Sequence, residues 1–312
     1  LTNFYYWCAT RVLTLDRVYA KEILNSIGAL QAQTDRDRAK IALSYHCLSL
    51  TDIFWVREKG ENITFSQINL FENLDNALVD ISLRGKQMTV ENSYLIADDL
   101  STNGVFPKAW IREKNSFSLL KNGNSRAVEN EILASKICRC FDCRQVLYEE
   151  SMFDGQKVSK SRIITSVDYS MVSMEAFEIY AANHDIHVMD FVLKLDAYTY
   201  YMMNLLDYLI GNTDRHWGNW GFLVDNRTNQ PVRLFDLMDL NQTFLAYDTP
   251  DGANCMTTGN RKMSQREAAV EGVKKIGLNQ RAEIKDEWFK GREKEREMFW
   301  CRFGILKEQW KA

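Results

Sequence analysis

Between two apolar stretches the chain carries GNTDRHWGNWGFL, residues 211–223, which crowds Asp214, Arg215, His216 and Asn219 among three glycines. Downstream, GFLVD-NRTNQP-VRLFD reads as a β-hairpin: two apolar runs joined by a polar turn that Pro231 closes. With the turn centred near residues 227–229, Gly221 falls opposite Asp236. Asn219 and Asp236 then stand side by side at the open end, and Asp214 lies in the loop just before. An amide oxygen beside a carboxylate suits Mg²⁺, a hard cation that takes oxygen ligands. A second carboxylate, off the metal, can accept the proton of an attacking hydroxyl. Phosphoryl transfer needs this layout: metal ligands beside the phosphates and an Asp facing the nucleophile.

The bare pattern Asp-x-x-x-x-Asn selects nothing, because it occurs four times, at Asp98/Asn103, Asp207/Asn212, Asp214/Asn219 and Asp236/Asn241. Context selects Asp214: flanking glycines, the adjoining Arg215 and His216, and a strand starting just after Asn219. Asp207 falls in the last turns of a helix, where it would anchor loop backbone. The other half of the constellation comes earlier. Lys121 ends the strand-like run SFSLLK, and Glu131 follows inside the helix-like run SRAVENEILASKICRC. A strand Lys held by a helix Glu is the phosphate-positioning pair of kinase-like folds. Ala134, Ser135 and Cys138 share the face of Glu131, so that face is lined by small residues and looks inward. The stretch STNG (Ser101, Thr102, Asn103, Gly104) could fold over nucleotide phosphates through its backbone N–H groups.

The elements that must position these residues fall into three blocks. Residues 1–90 are α-rich, with TDRDRAKIALSYHCL opened by Thr34. Residues 91–168 form a small sheet with one helix: SYLIADD, SFSLLK, RQVLYEE and SRIITSVDY read as strands. Residues 169–312 are mainly helical, with a long apolar helix over 186–210 ended by Gly211, the hairpin, and a helix opened by the capping box Ser264/Glu267 and ended at Gly277. The fold class is therefore α+β.

Composition narrows the partners. A net charge of −3 with interspersed signs gives no basic face for nucleic acid. No apolar run reaches the roughly 18 residues of a membrane span. The N-terminal LTNFYYWCATRVL lacks the layout of a signal peptide, so a cytoplasmic location is expected. CRCFDC places Cys138, Cys140 and Cys143 together, but no second spaced pair follows to complete a zinc site. Buried free thiols are the expectation.

The catalytic segment GNTDRHWGNWGFL with its following LFD, and the upstream run DLSTNG…PKAW…LLKNG…NEILASKI, resemble the HipA-like and CtkA-like bacterial serine/threonine kinases over about residues 94–245. The resemblance implies a two-lobed, protein-kinase-like fold with ATP between the lobes, here carrying an α-rich N-terminal extension. It implies Asp214 as general base, Asn219 and Asp236 as Mg²⁺ ligands, Lys121 on the ATP phosphates and Glu131 as its helix partner. It places His216 at a position commonly His, and Val167 and Asp168 at the hinge that meets adenine. It also implies autophosphorylation in the loop over the nucleotide, at Ser101 or Thr102. The sequence departs from the pattern at Leu237, which stands where a DFG motif has its next residue, and Asp239 lies three residues past Asp236, placed to share or take the metal role. The first 90 residues do not match the β-rich extension of the HipA toxins. Three functions follow: a protein serine/threonine kinase with a protein substrate, a small-molecule or lipid kinase on the same fold, or a non-catalytic kinase-like binding module.

Overall fold

The computed structural model describes residues 2–12, 20–26, 34–73, 106–114, 116–245, 249–259 and 262–311. Ser101, Thr102, Asn103 and Gly104, and the run SYLIADD, lie outside these residues. The chain divides into two compact units, one of residues 1–124 and 149–170, the other of residues 125–148 and 171–312.

The first unit opens with helices α1 (Thr2–Thr10), α2 (Ala20–Ser26) and α3 (Asp35–Ser44), then the single-turn α4 (Phe65–Ile68) and α5 (Leu70–Asn73). Thr34 caps α3 as expected: its hydroxyl accepts from the Asp37 N–H while the Asp37 carboxylate takes the Thr34 N–H. Cys8, Val12, Ile23, Ala42, Tyr45 and Leu50 form the core beneath these helices, and Phe117 from the sheet completes it. One buried ion pair crosses that core. Arg11 forks onto Asp52 at 2.9 and 2.8 Å, and the Tyr45 hydroxyl donates to the Arg11 carbonyl at 2.6 Å.

The unit's sheet has the order β1 (Lys108–Glu113), β2 (Ser116–Lys121), β4 (Gln156–Arg162), β3 (Tyr148–Phe153). Lys121 ends the interior strand β2, registered against Lys108 on one side and Ser159 on the other. The strand boundaries differ from expectation. Asp154 and Gly155, with φ of 49° and 71°, form a two-residue turn between β3 and β4. Such a turn needs positive φ at both positions, and Asp-Gly provides it. Residues 144–147 and 163–168 lie outside regular strands.

In the second unit, helix α6 (Ser125–Cys138) carries Glu131, which is 1% exposed. Helix α7 (Met174–Asn183) leads to α8 (Val188–Ile210), buried almost throughout from Thr199 to Ile210. The apolar run dictates that burial, and Gly211 stops the helix with φ 60° and ψ 44°, the left-handed cap that glycine adopts at no steric cost. Arg302, on helix α10 (Glu293–Lys311), donates to the buried C-terminal end of α8 at the Tyr208 carbonyl, 2.7 Å. Helix α9 (Gln265–Ile276) packs along α8 and starts with the expected Ser264/Glu267 capping box.

A second sheet has the order β5 (Tyr169–Ser173), β6 (Gly221–Asp225), β7 (Gln230–Leu234). The hairpin is where the sequence placed it, but its register is not. Phe222 pairs with Leu234 and the Phe235 N–H donates to the Gly221 carbonyl, so Gly221 faces Phe235 rather than Asp236. A bulge at Leu223/Val224 shifts the pairing again. Pro231 sits inside β7, opposite Val224, which an edge strand permits. Since a one-residue slip turns each side chain to the other face, Asp236 is not delivered beside Asn219 by simple pairing.

Gly221 is fixed by space. A Cβ there would lie 2.1 Å from the Val172 carbonyl oxygen of β5. By contrast, a Cβ at Gly304, inside α10, would meet nothing within 4 Å. Gly221→Ala is therefore expected to lose about 1–3 kcal/mol or more in urea unfolding, while Gly304→Ala should gain up to about 1 kcal/mol. Equal midpoints for the two variants would contradict the close strand approach.

Candidate active site

The polar crowd between α8 and β6 is a wired loop. Asn212 returns its backbone N–H to the Asp207 carbonyl and its side-chain amide to the Asp207 carboxylate, both at 2.9 Å. The Asp214 N–H then donates to Asn212 Oδ1 at 3.1 Å, and the Thr213 N–H to the Gln242 carbonyl at 3.2 Å. The Asn219 N–H closes a turn onto the His216 carbonyl at 2.8 Å. These bonds fix Asp214 and Asn219 against one another. Asn219 Nδ2 donates to the Asp214 carbonyl at 2.8 Å and to its carboxylate at 3.4 Å. With the nitrogen spent on Asp214, Oδ1 is the acceptor that the amide presents to a cation.

The segment 236–239 is held just as firmly. The Leu237 N–H donates to the Arg144 carbonyl at 3.0 Å, and its carbonyl accepts from the Val146 N–H at 2.9 Å. The run 144–147, expected as a sheet strand, thus pairs with Leu237 instead. Asp239 donates its backbone N–H to the Tyr148 hydroxyl at 2.9 Å and has φ of 54°. That left-handed conformation is uncommon for a residue with a Cβ and is found where the surroundings over-determine it.

Arg215 joins the two segments. It is 2% exposed. Its Nε and Nη2 grip Asp207 at 2.9 and 3.0 Å, and Nη1 donates to both the Asn219 carbonyl, at 2.8 Å, and the Met238 carbonyl. Burial alone would make this guanidinium easier to deprotonate, but the Asp207 carboxylate outweighs burial and raises it.

Asp214 is half-buried. Burial raises its carboxyl above the ordinary range; the Asp239 charge adds to the rise, while His216, Arg215 and the Asn219 amide oppose it. His216 Nδ1 accepts the Gly218 N–H at 3.1 Å, which leaves Nε2 turned toward the Asp214 carboxylate at 3.9 Å. Asp239 is therefore the acidic neighbour of Asp214. Asp236 is engaged elsewhere, with one carboxylate oxygen on the Arg233 guanidinium. It also lies near Cys143, whose thiol is pushed up to about 12 by burial and then by the charges of Asp236 and Asp207. Asn219 is thus bonded to Asp214, whose carboxyl feels the Asp239 charge, while Asp236 is held by Arg233.

The other expected residues lie as follows. Lys121 is buried in the first unit, 6% exposed, and Glu131 is buried in the second. The strand expected to run into Val167 and Asp168 stops at Arg162. Val167 and Asp168 occupy a tight turn closed by the Ser166 N–H on the Tyr169 carbonyl at 2.8 Å, with Val167 48% exposed. Cys138 and Cys140 are buried and Cys143 is partly buried, and burial raises all three thiols. Among the described residues, no three His, Cys, Asp or Glu side chains gather as a metal site. Mg²⁺ asks for less: one or two carboxylates with the remaining positions on water and phosphate. The Asn219 amide oxygen and the carboxylates of Asp236 and Asp239 are oxygen ligands of that kind.

Sequence reasoning missed the Arg215–Asp207 pair and the turn at Asp154–Gly155. The Asp-Gly dipeptide between apolar runs was the available signal for the turn. For the ion pair, the eight-residue spacing across a helix end offered none.

The mixed helix-and-sheet architecture is similar to that of solved structures. HipA of Shewanella oneidensis MR-1, from a toxin–antitoxin system solved with HipB and its operator DNA, aligns over 99% of this chain and 88% of its own, at TM-score 0.51 and 12% identity. CtkA, a proinflammatory kinase of Helicobacter pylori, aligns over 65% of this chain and 90% of its own, at TM-score 0.44 and 16% identity. No protein-family model matches the chain. No curated protein matches it in sequence. The chain shares the fold of that HipA, and no described helix is long and apolar enough to cross a membrane.

The raised Asp214 carboxyl has a consequence for stability. The folded state binds its proton more tightly than the unfolded chain, so the stability tied to this group is present at acid pH and lost as pH rises through the folded value. Asp214→Asn removes that loss. The variant is expected to melt above wild type at neutral pH, with the gap closing as pH falls toward the ordinary carboxylate range. A constant gap across pH, or a less stable variant at neutral pH, would contradict the burial assigned to this carboxyl.

Proposed function

We propose that the protein is an ATP- and Mg²⁺-dependent phosphotransferase, a HipA-like protein serine/threonine kinase that phosphorylates itself. The observation that carries this reading is the hydrogen-bonded Asp214–Asn219 pair with Asp239 as its acidic neighbour. In this reading Asp214 takes the proton of the acceptor hydroxyl. A carboxyl raised by burial is a stronger base than an exposed one, which suits that task. Asn219 and a carboxylate of the 236–239 segment hold Mg²⁺. The geometry favours Asp239, because Arg233 already engages Asp236. Mg²⁺ bound there would neutralise charge on the phosphate oxygens.

Lys121 is assigned to the ATP phosphates and Glu131 to its partner; both side chains are buried. Ser101, Thr102, Asn103 and Gly104 are assigned to the loop over the phosphates, with Ser101 or Thr102 as acceptor. The exposed apolar Val167 and the neighbouring Asp168 are assigned to the adenine edge.

Mass spectrometry after incubation with Mg²⁺-ATP tests the reading. Wild type should gain phosphate on Ser or Thr. Asp214→Asn should keep ATP affinity and lose about 10²–10⁴-fold in transfer rate. Asp239→Asn should raise the Mg²⁺ requirement more than Asp236→Asn does. Transfer by Asp214→Asn at the wild-type rate would rule out its role as base. Label that never reaches the protein would point to a small-molecule acceptor. No thermal stabilisation by saturating Mg²⁺-ATP would point to a non-catalytic module.

A further inference from the structure

Arg215 has no place among the groups that touch nucleotide or acceptor, yet it is the most completely wired side chain of the loop. Its guanidinium is buried and all three nitrogens are used. Two hold Asp207, at the end of α8, and the third holds the carbonyls of Asn219 and Met238. Asn219 is one proposed metal ligand; Met238 immediately precedes the other, Asp239. Nothing else among the described hydrogen bonds of these two segments reaches both from a single side chain.

We infer that Arg215 is a positioning residue that clips the Asn219 loop to the 236–239 segment and so sets the spacing of the two Mg²⁺ ligands, with Asp207 aiming the clip. The inference rests on the phosphotransfer reading above and adds a residue to it. Three features of the arrangement support it. The guanidinium fork is planar and rigid, so gripping Asp207 with two nitrogens leaves the direction of the third fixed. The contacts at Asn219 and Met238 are to backbone carbonyls, so they set main-chain position whatever the side chains do. The positive charge also stands among Asp214, Asp207 and Asp239, whose mutual repulsion would otherwise push the two segments apart before a cation arrives.

A merely structural ion pair predicts something different. Breaking one partner leaves a buried unpaired charge and destabilises the fold, whereas neutralising both restores stability. If stability were all that Arg215 supplies, function would return with it. The experiment is therefore Arg215→Met, Asp207→Asn and the double variant. Each is measured for thermal midpoint, phosphotransfer rate, and the Mg²⁺ concentration giving half-maximal transfer. The double variant is expected to regain much of the stability lost by Arg215→Met. Its Mg²⁺ requirement should stay raised by about 10–100-fold, the usual effect of removing a group that orients metal ligands.

Arg215→Lys provides the check should the double variant not fold. Its single ammonium keeps the charge beside Asp207 but cannot span the four acceptor atoms. It too should raise the Mg²⁺ requirement. A folded double variant or Arg215→Lys with wild-type Mg²⁺ dependence overturns the clip while leaving the functional reading standing. A wild-type protein with no ATP-dependent transfer, tested beside them, sinks the functional reading itself and the clip with it.

Discussion

A guanidinium with 2% exposure sits at the centre of the second unit, and the local structure follows from the need to satisfy it. Removing two charges from water costs several kcal/mol per ion, and mutual attraction compensates only when the geometry is good and every remaining donor finds an acceptor. Arg215 meets both conditions. Asp207 takes two nitrogens in a fork, and the third nitrogen meets two carbonyls. Asp207 is completed in turn by the Asn212 amide. Asn212 then receives the Asp214 N–H, so the position of the proposed base descends link by link from one buried ion pair. A loop with this wiring has little freedom to place its carboxylate elsewhere.

The surrounding elements serve the same end through contact distances. Gly211 ends α8 because its left-handed backbone turns the chain out of the helix, and the ends of the Met298 and Arg302 side chains crowd the space a Cβ would take. Gly221 brings β6 within van der Waals reach of the β5 main chain, which anchors the far end of the loop. Asp239 adopts a left-handed conformation without being glycine, held by the Tyr148 hydroxyl and the pairing of Leu237 with 144–146. Strain of this kind and a half-buried Asp214 beside a second acid both work against stability. Such features persist where the geometry itself is useful.

The parts legible in the sequence were those governed by neighbours along the chain. Thr34 and Ser264 announce their helices because a capping hydroxyl acts three residues away. Gly211 announces the end of α8, and the apolar runs around 225–230 announce a hairpin. The strand ending at Lys121 and the burial of Glu131 were also readable, one from a strand-like run and the other from the small residues on its helix face. What escaped depends on distant atoms. The bulge at Leu223/Val224 shifts the register within the hairpin, and no turn residue marks it. The pairing of 144–146 with Leu237 joins segments some ninety residues apart, and no local pattern marks it. Arg215 reads as an ordinary loop Arg until the helix end beneath it is in place.

Under the proposed function, Asn219 and the 236–239 segment form one cation site beside Asp214. A crystal structure with Mn²⁺ and a non-hydrolysable ATP analogue, read by the anomalous scattering of manganese, tests it most directly. A manganese peak is expected at bonding distance, about 2.0–2.6 Å, from Asn219 Oδ1 and the Asp239 carboxylate. Manganese bound away from Asn219, or nucleotide bound with no metal near this loop, would contradict it.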